Sequence, residues 1–518
     1  MWLQALLFAL VLAVSACARP RPAAAPQTPS VQDKLAGADA LVRVGCFDCL
    51  LDAYRQYDAL RRVPAAADAA KVGAAGVATL IALRERQLGM ADDGFLEQAG
   101  ALIADDDGLR ARFSVLLDIL DTATGPRGRL PGEIADPEVF RRGQRLRAHR
   151  AEWQEWLRAR ADEDAWSAAA WAWFACSNSQ NPSDREPDAL MAPLARFREA
   201  LLVAYEVATC GGGHDQPLAD LLAREPRFRE IEYWLGILDI RDAHLEDAEA
   251  RLTSASEWHP RWPLALVSLA ALYTTAEEFQ AALDRYDSAL ALVPDFADAM
   301  IGRVRALSYL GRHADAIAGA NGLLASQRLP GEAYYWRAWN GVYLDRLEDA
   351  WRDVEQARRL WVNAEVEKLA GIVAYKRKQL DMARTRFEAS RTLRGNDCET
   401  LFDLGTVHAE LGAWRSSVSV LVDAATCLEK SRSALATEIE EIRASQASEE
   451  RRARQIARRA QDIAAAERML VQSWFNTAVA YFNLSSPADA RSFAERVVGD
   501  EQLGDRARAL LSRIDTRP

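Results

Sequence analysis

The residues of this chain most suited to chemistry by their type and spacing are the two cysteines of the motif Cys46-Phe-Asp-Cys49. A CxxC pair can attach haem, bind zinc or exchange disulfides, and each function requires a particular neighbourhood. Leu50 follows the motif where c-type haem attachment requires histidine, no second Cys/His pair lies nearby for zinc, and the strand–helix context of a thioredoxin site is absent. We interpret the motif as a structural disulfide or as two buried thiols.

The other residue types that support catalysis form no recognisable constellation. The six histidines, at positions 149, 214, 244, 259, 313 and 408, make neither HxxxH nor HExxH. The sequence has no Walker loop, no GxSxG and no glycine fingerprint after a strand. Asp105-Asp-Asp107 lacks the rest of a calcium-binding loop, so it predicts a loop followed by a helix cap. We expect a protein that is not an enzyme and has no catalytic residues, cofactor or metal ion.

The bulk composition is that of a folded protein with an acidic balance. Of the 518 residues, 50% are hydrophobic and 27% are charged, which argues against wholesale disorder. The formal net charge is -11. Because an acidic chain repels a phosphate backbone, we do not expect nucleic acid as a partner.

The N-terminus has the pattern of an export signal. An apolar run from Leu3 to Val14 is shorter than the roughly 20 residues that span a bilayer, and small residues follow it. The ending Val14-Ser15-Ala16-Cys17 resembles the bacterial lipobox, whose cysteine receives the lipid and becomes the mature N-terminus.

This resemblance implies that residues 1–16 are removed as a signal peptide and that Cys17 is lipidated. In lipoproteins a residue other than aspartate after the cysteine favours the outer membrane, and Ala18 stands there, so we expect a lipid anchor in the outer membrane, on its periplasmic side. The first four residues carry no Lys or Arg, which leaves an ordinary cleaved signal or a short membrane anchor as the alternative.

The lipidated cysteine opens a Pro/Ala-rich stretch, 17–31, which cannot bury a core and is predicted to be an extended tether. Six further cysteines remain, and an even number suits an oxidising compartment. They are Cys46, Cys49, Cys176, Cys210, Cys398 and Cys427.

A self-similar period of 34 residues begins at residue 229. Small, bulky and proline side chains recur one period apart in two consecutive units. In the first unit they are Leu235, Gly236, Ala248, Leu252, Ala255 and Pro260, and in the second Leu269, Ala270, Ala282, Tyr286, Ala289 and Pro294. The pattern resembles the tetratricopeptide repeat, which has small residues at positions 8, 20 and 27, a bulky residue at 24 and proline at 32.

The resemblance continues through weaker units and defines the domain organisation. Units that begin at 229, 263, 297, 331, 364 and 398 cover 229–431, a last unit covers 471–504, and 505–518 is predicted to be a capping helix. Small residues let neighbouring helices approach closely, and a hairpin that cannot bury its apolar face alone must stack on others. We therefore predict an all-α fold, a right-handed α-solenoid of tetratricopeptide-type helical hairpins.

Cys398 and Cys427 stand at positions 1 and 30 of the unit that begins at 398. In an antiparallel hairpin these positions are the start of the first helix and the end of the second, so the two cysteines should be near enough to bridge. Two separate buried thiols are the alternative.

Two segments have helical periodicity but no repeat phase. Residues 32–228 are predicted to be an α-helical N-terminal domain of diverged hairpins. Residues 432–470 are highly charged, and they predict a long helix or a helical finger that projects from the solenoid, with a break at Ser445-Gln-Ala-Ser448. The segment is either a docking or dimerising arm or a solvated insertion without a partner.

In tetratricopeptide proteins the first helix of each unit lines a concave groove. Carried over, the partner groove consists of Tyr233, Ile237, Arg241, Ile301, Arg305, Tyr309, Tyr335, Trp339, Tyr343, Lys368, Ile372, Tyr375, Lys376 and Phe402. An aromatic strip with a few cations suits an extended or helical peptide, although each aromatic ring can instead pack between units. The family's carboxylate clamp is absent, because Ile301 and Arg305 stand where it has Lys and Asn.

These features favour a lipid-anchored scaffold or adaptor that binds other proteins, or their peptide segments, in the bacterial cell envelope. The alternative is an accessory regulator of an envelope enzyme, for example one that acts on peptidoglycan. A receptor for small molecules or glycans fits less well, because solenoids offer open grooves rather than enclosed pockets.

Overall fold

Helices make up the regular structure of the chain throughout the part that the structure describes. The computed structural model describes residues 29–90, 93–122, 137–178, 196–197, 199–209 and 215–516, apart from 243, 396 and 446. Within these ranges it has 24 α-helices and no strand, so the predicted all-α fold is confirmed. The predicted signal peptide, Cys17, most of the tether and Cys210 lie outside the described residues.

The N-terminal domain consists of nine described helices. They are α1 (Val31–Val44), α2 (Phe47–Leu60), α3 (Ala67–Leu88), α4 (Phe95–Ile103), α5 (Asp107–Thr122), α6 (Pro137–Arg160), α7 (Ala165–Asn178), α8 (Leu201–Ala208) and α9 (Asp215–Arg224). Helix α1 starts where the tether was expected to end, and Ser30 caps it. Asp106 accepts a hydrogen bond from the Leu109 N–H at 3.0 Å, so the aspartate run does precede a helix cap.

Each predicted unit from 229 to 398 contains two helices joined by a short turn. The helices are α10 (Glu230–Arg241), α11 (Leu245–Trp258), α12 (Pro263–Thr275), α13 (Phe279–Leu292), α14 (Ala297–Tyr309), α15 (His313–Ala325), α16 (Pro330–Tyr343), α17 (Leu347–Leu360), α18 (Ala364–Lys376), α19 (Leu380–Leu393) and α20 (Cys398–Glu410). The second helix of the sixth unit is the start of α21 (Trp414–Ala444). We number these units 1 to 6 and the unit at 471 as unit 7.

The two long helices α21 and α22 (Glu449–Asn483) form a hairpin whose turn lies at 445–448, where the sequence predicts the break. We call residues 432–470 the finger. The end of α22 is the first helix of unit 7, followed by α23 (Pro487–Glu495), and α24 (Gly504–Asp515) closes the stack. A disulfide joins Cys398 and Cys427, with Cα atoms 5.4 Å apart, at the base of the finger.

Contact between position 8 and position 24 holds each hairpin closed. A Cβ atom added to Gly371, at position 8 of unit 5, would lie 2.6 Å from the Phe387 ring at position 24. The same pairing of glycine with a bulky residue recurs in units 1 and 6. Unit 3 reverses the sizes, because Val304 stands at position 8 and Ala320 at position 24, and both are fully buried. The helices thus approach closely wherever one partner is small, whichever helix supplies it.

The turn between the two helices of a unit has a fixed backbone conformation. In units 2 to 7 the residue at position 15 has a positive φ. Glycine supplies this conformation in units 3 and 6, whereas other residues adopt it at a conformational cost elsewhere, such as Glu277 with φ 60° and Asp345 with φ 54°.

The CxxC motif lies at the joint between the N-terminal domain and the first unit. Cys46 and Cys49 are joined by a disulfide and are fully buried, and Cys46 is the residue that caps α2. The Phe47 N–H donates to the Glu230 carboxylate at 2.9 Å, and the Trp258 indole N–H donates to Asp48 at 3.0 Å. The disulfide therefore shapes the loop that attaches the domain to α10 and α11.

Charged groups are buried at the same joint. Arg84 and Glu206 approach to 3.2 Å, both almost without solvent exposure, and the Arg84 guanidinium lies 3.7 Å from the centre of the Tyr205 ring. Glu230 is fully buried beside them. Burial raises the pKa of Glu230 to about 7, and the attraction of Arg84 only partly opposes this effect.

We expect Gly371→Ala to lower the free energy of unfolding by about 1–3 kcal/mol, because the new methyl group overlaps Phe387. Gly322→Ala is the matched control, since its Cβ would meet nothing nearer than the Met300 methyl at 3.6 Å, and it should raise stability by up to about 1 kcal/mol. Urea unfolding followed by circular dichroism measures both. Equal effects of the two substitutions would contradict the close contact.

The pKa of Glu230 predicts a pH dependence of stability. Because the folded-state pKa of about 7 exceeds the ordinary glutamate pKa of 4.5, the folded protein binds the extra proton between these values. The free energy of unfolding should therefore fall as pH rises through this window, by at most about 3 kcal/mol. Glu230→Gln should reduce this fall by the contribution of one carboxyl, which urea unfolding at a series of pH values measures, whereas other carboxyls with a raised pKa, such as Asp403, continue to contribute. The control is Glu232→Gln, which changes a carboxylate two residues further along α10 that pairs with Arg251. This substitution should leave the fall in stability with pH unchanged.

Candidate functional site

Three of the residues predicted to line the groove are instead packed between units. Tyr233, Ile301 and Tyr335 expose 5%, 4% and 8% of their surface. Tyr233 packs against Trp262 and accepts a hydrogen bond from the Ser268 hydroxyl of unit 2 at 3.4 Å, and Tyr335 packs against Trp361 near the end of unit 4. The interpretation of these three as contact surface is corrected, because position 5 of a unit faces the neighbouring unit here.

Three other predicted groove residues already have partners within the chain. Arg241 pairs with Asp242 at 2.8 Å, and the Lys368 ammonium lies 2.5 Å from Glu399 and 3.1 Å from Asp397. The Tyr375 hydroxyl donates to Glu410. The charges of Arg241 and Lys368 are thus compensated within the chain, and Lys368 and Tyr375 also connect unit 5 to unit 6.

A continuous row of rings remains, with four rings on the first helices of units 3 and 4 and one at the start of the second helix of each of units 2 and 3. Neighbouring ring centres are 4.5–6.4 Å apart, within the range of favourable aromatic contact. In order, the row is Phe279, Tyr309, Trp336, Trp339, Tyr343 and His313. We call it the aromatic row. Tyr309 and Tyr343 expose 50% and 59% of their surface, which is unusual for large aromatic side chains in a packed stack.

Arg305 lies beside this row without an ion-pair partner among the described residues. It is half-buried, and its Nε is buried without a hydrogen-bond partner there. The guanidinium is close enough to Tyr286 and Tyr335 to act on the pKa values of both. A desolvated cation between aromatic rings is a site for a carboxylate, because the missing hydrogen bonds can be made by an incoming acid.

The other predicted groove residues frame the row. Ile237, Ile372 and Phe402 are partly buried and pack on the core, and Lys376 is exposed with no ion pair in the described residues. Asp403 of unit 6 lies beside Lys368 of unit 5 and was not among the predicted groove residues. Burial raises its pKa to about 7, and Lys368 opposes this effect.

The finger does not project into solvent but returns to the start of the stack. Arg451, with 5% of its surface exposed, donates to Glu246 at 3.1 Å, to Glu249 at 2.6 Å and to Glu278 at 2.8 Å. Arg454 also contacts Glu278, at 3.0 Å. Glutamates of units 1 and 2 thus surround the arginines near the tip of the finger.

Arg459 lies more than one helical turn beyond Arg454 on α22, and its guanidinium pairs with the Glu277 carboxylate at 3.0 Å. Arg458 lies 3.7 Å from the same carboxylate. We call the four arginines and Glu246, Glu249, Glu277 and Glu278 the clasp. Burial of Glu278 alone would raise its pKa, but hydrogen bonds from Arg451 and Arg454 outweigh this and hold it below its usual value.

The clasp corrects the prediction of a projecting finger. In the sequence, arginines at 451, 454 and 458 mark one face of a helix. A solvated helix shows the same pattern, and the glutamates that meet this face are more than 170 residues away, so the pairing has no local signature.

No group of histidine, cysteine and acidic side chains suited to a metal ion occurs among the described residues. The described helices also include none that is long and apolar enough to cross a membrane.

Comparison with known proteins yields structural similarity only. No family model and no curated protein matches the chain. PilF of Pseudomonas aeruginosa is 21% identical over 38% of this chain and 89% of that one, with a TM-score of 0.34. PilW, a type IV pilus biogenesis factor, is 18% identical over 38% of this chain and 90% of its own, with a TM-score of 0.36.

A tetratricopeptide repeat protein from Parabacteroides merdae is 15% identical and covers more of the chain, 56% of it and 99% of its own length, with a TM-score of 0.34. Values this low carry no argument about function. The packing of the helical hairpins within this chain shows that it has an all-α helical repeat fold.

Proposed function

We propose that this protein is a lipid-anchored scaffold of the bacterial cell envelope that binds a peptide segment of another protein along the aromatic row. The observation that carries the proposal is the combination of Tyr309 and Tyr343, both about half exposed, with the unpaired cation Arg305. Aromatic rings supply a large contact area with few rotatable bonds, and arginine and aromatic residues dominate the binding energy of protein interfaces.

Charge compensation elsewhere supports the same location. Lys368 and Arg241 are paired with acids of this chain, whereas Arg305 has no acidic partner among the described residues. A segment with acidic and apolar side chains would satisfy both the cation and the rings. The lipid anchor rests on Val14–Cys17 and on the tether, and it remains a proposal from the sequence.

The double substitution Trp339→Ala with Tyr343→Ala should reduce capture of envelope partners by the lipid-free protein by about tenfold or more, because two adjacent rings of the row are lost. Quantitative pull-down from a periplasmic extract measures the effect. Because Trp339 is partly buried, the single variant Tyr343→Ala, at a side chain with 59% exposure, shows whether the loss is independent of folding.

The matched control is Leu360→Ala with Val362→Ala. These side chains expose 47% and 71% of their surface at the other end of the unit 4 hairpin, so capture should be unchanged. Unchanged capture by the row variants, with their fold intact, would refute the assignment of the groove.

Lipidation has a separate test. Cys17→Ser should move the protein from the membrane fraction to the soluble periplasmic fraction, because the acyl chains that anchor it can no longer be attached. Ala18→Asp keeps the cysteine and should retain membrane attachment but alter the membrane in which the protein resides. Membrane retention of Cys17→Ser would show that the N-terminus anchors the chain in another way.

A further inference from the structure

The clasp closes the chain on itself. The finger leaves the stack at unit 6 and its arginines bind glutamates of units 1 and 2. Arg459 lies 11 residues before Leu470, which packs at the base of the finger, and this corresponds to about 16 Å of helix.

This short span requires strong curvature of the stack. At about 10 Å between layers of packed helices, the four steps from unit 2 to unit 6 would amount to about 40 Å in a straight stack. Arg459 nevertheless reaches Glu277 of unit 2 at 3.0 Å. The stack therefore bends toward the finger, and the finger crosses on the inner side of the bend.

Units 3 to 5 are bypassed. Among the described residues, no hydrogen bond or ion pair joins 432–470 to 297–397. The aromatic row starts at Phe279, one residue after Glu278 of the clasp, and continues onto units 3 and 4. The finger and units 2 to 6 therefore form a closed loop of contacts, and the residues of the aromatic row belong to units within that loop.

We propose that the finger is a releasable strap over units 3 to 5, held by the clasp, and that the bound partner is a flexible acidic segment of polypeptide retained inside the ring. The identity of the site rests on the proposed function, whereas the strap does not. A flexible segment of polypeptide needs less room beneath a strap than a folded domain of about 100 residues, whose radius of gyration is about 13 Å. Arg305, unpaired beside the row, selects an acidic segment.

The chemistry of the clasp makes release possible. Its contacts are ion pairs between long side chains, and no described apolar cluster includes both finger residues beyond Ala466 toward the tip and residues of units 1 or 2. Such contacts weaken when salt screens them or when a competing charge arrives. The base of the finger, in contrast, is fixed by apolar packing and by the Cys398–Cys427 disulfide.

The state of the strap is measured by the distance between two spin labels on the full chain, one at Glu449 near the tip and one at Ser288 on unit 2, both exposed positions. We expect one short-distance population at low salt. A longer-distance population should appear in Arg451→Glu and at about 1 M salt, where the screening length is about 3 Å.

Two further variants separate the clasp from the fold. Glu277→Gly removes a clasp carboxylate but places glycine at a position with positive φ, so the hairpin should lose no stability while the strap opens more often. Arg443→Glu reverses a charge on the finger that pairs only with Glu440 nearby, so the distance should not change. An unchanged distance in Arg451→Glu overturns the strap, and so does an equal effect of Arg443→Glu.

Retention is measured with a fluorescein-labelled, unstructured Glu/Tyr peptide, and a Lys/Tyr peptide of equal length serves as the comparison. We expect only the acidic peptide to bind, and we expect Arg305→Gln to weaken its binding about tenfold. Arg303→Gln should leave the affinity unchanged, because the Arg303 guanidinium pairs with Asp287 on another side of α14. Arg451→Glu should accelerate dissociation about tenfold, because an open ring no longer retains the peptide.

The outcomes are distinguishable. Equal dissociation from Arg451→Glu and the unchanged protein, with the strap open in the label experiment, overturns retention but leaves the proposed groove standing. If the Lys/Tyr peptide binds in preference to the acidic peptide, or if neither peptide binds, the proposal of an acidic partner is overturned. Loss of partner capture in the aromatic-row variants is judged separately, by the pull-down, so failure of the proposed function is not confused with failure of the strap.

Discussion

Close approach of two helices at one small residue is the constraint on which this molecule depends. A hairpin of about 34 residues cannot bury its own apolar face, so it is stable only when its neighbours cover it. Gly371 against Phe387 shows how little room the contact leaves, and Val304 opposite Ala320 shows that the sum of two volumes, not the identity of either, is what the packing fixes. The curvature of the stack follows from repetition of this contact.

A second kind of interaction is superimposed on the first. Along the stack, apolar contacts join each unit to the next, whereas the clasp joins units 1 and 2 to a helix that belongs to units 6 and 7. Apolar burial is insensitive to salt, and ion pairs between partly exposed groups are not. The molecule thus combines a stack that is stable under most conditions with one closure that depends on the surrounding solution.

How much of this could be predicted from the sequence differs from feature to feature. The hairpins were predictable because their signals are local: Gly236, Ala248 and Leu252 recur at a fixed period, and each acts on a neighbour within one unit. The break at 445–448 and the proximity of Cys398 to Cys427 follow from the same local geometry. The burial of Tyr335 was not predicted because the repeat pattern does not show that Trp361, at the other end of the same unit, packs on its ring. The destination of Arg451 was not predictable, because its glutamate partners belong to units that only the curvature of the whole stack brings near. The joint at Glu230 was missed for the same reason, since its partner Phe47 lies 183 residues away.

Closure by the finger also has a mechanical consequence. An open solenoid behaves as a spring, whose curvature varies because each interface yields slightly and the small rotations add up. A rigid strut between unit 6 and units 1 and 2 removes that freedom, since any change of pitch would have to stretch ion pairs such as that of Arg451 with Glu249 at 2.6 Å. Tension applied between the N-terminal domain and the last unit would therefore be borne by four arginines before it reached the apolar core.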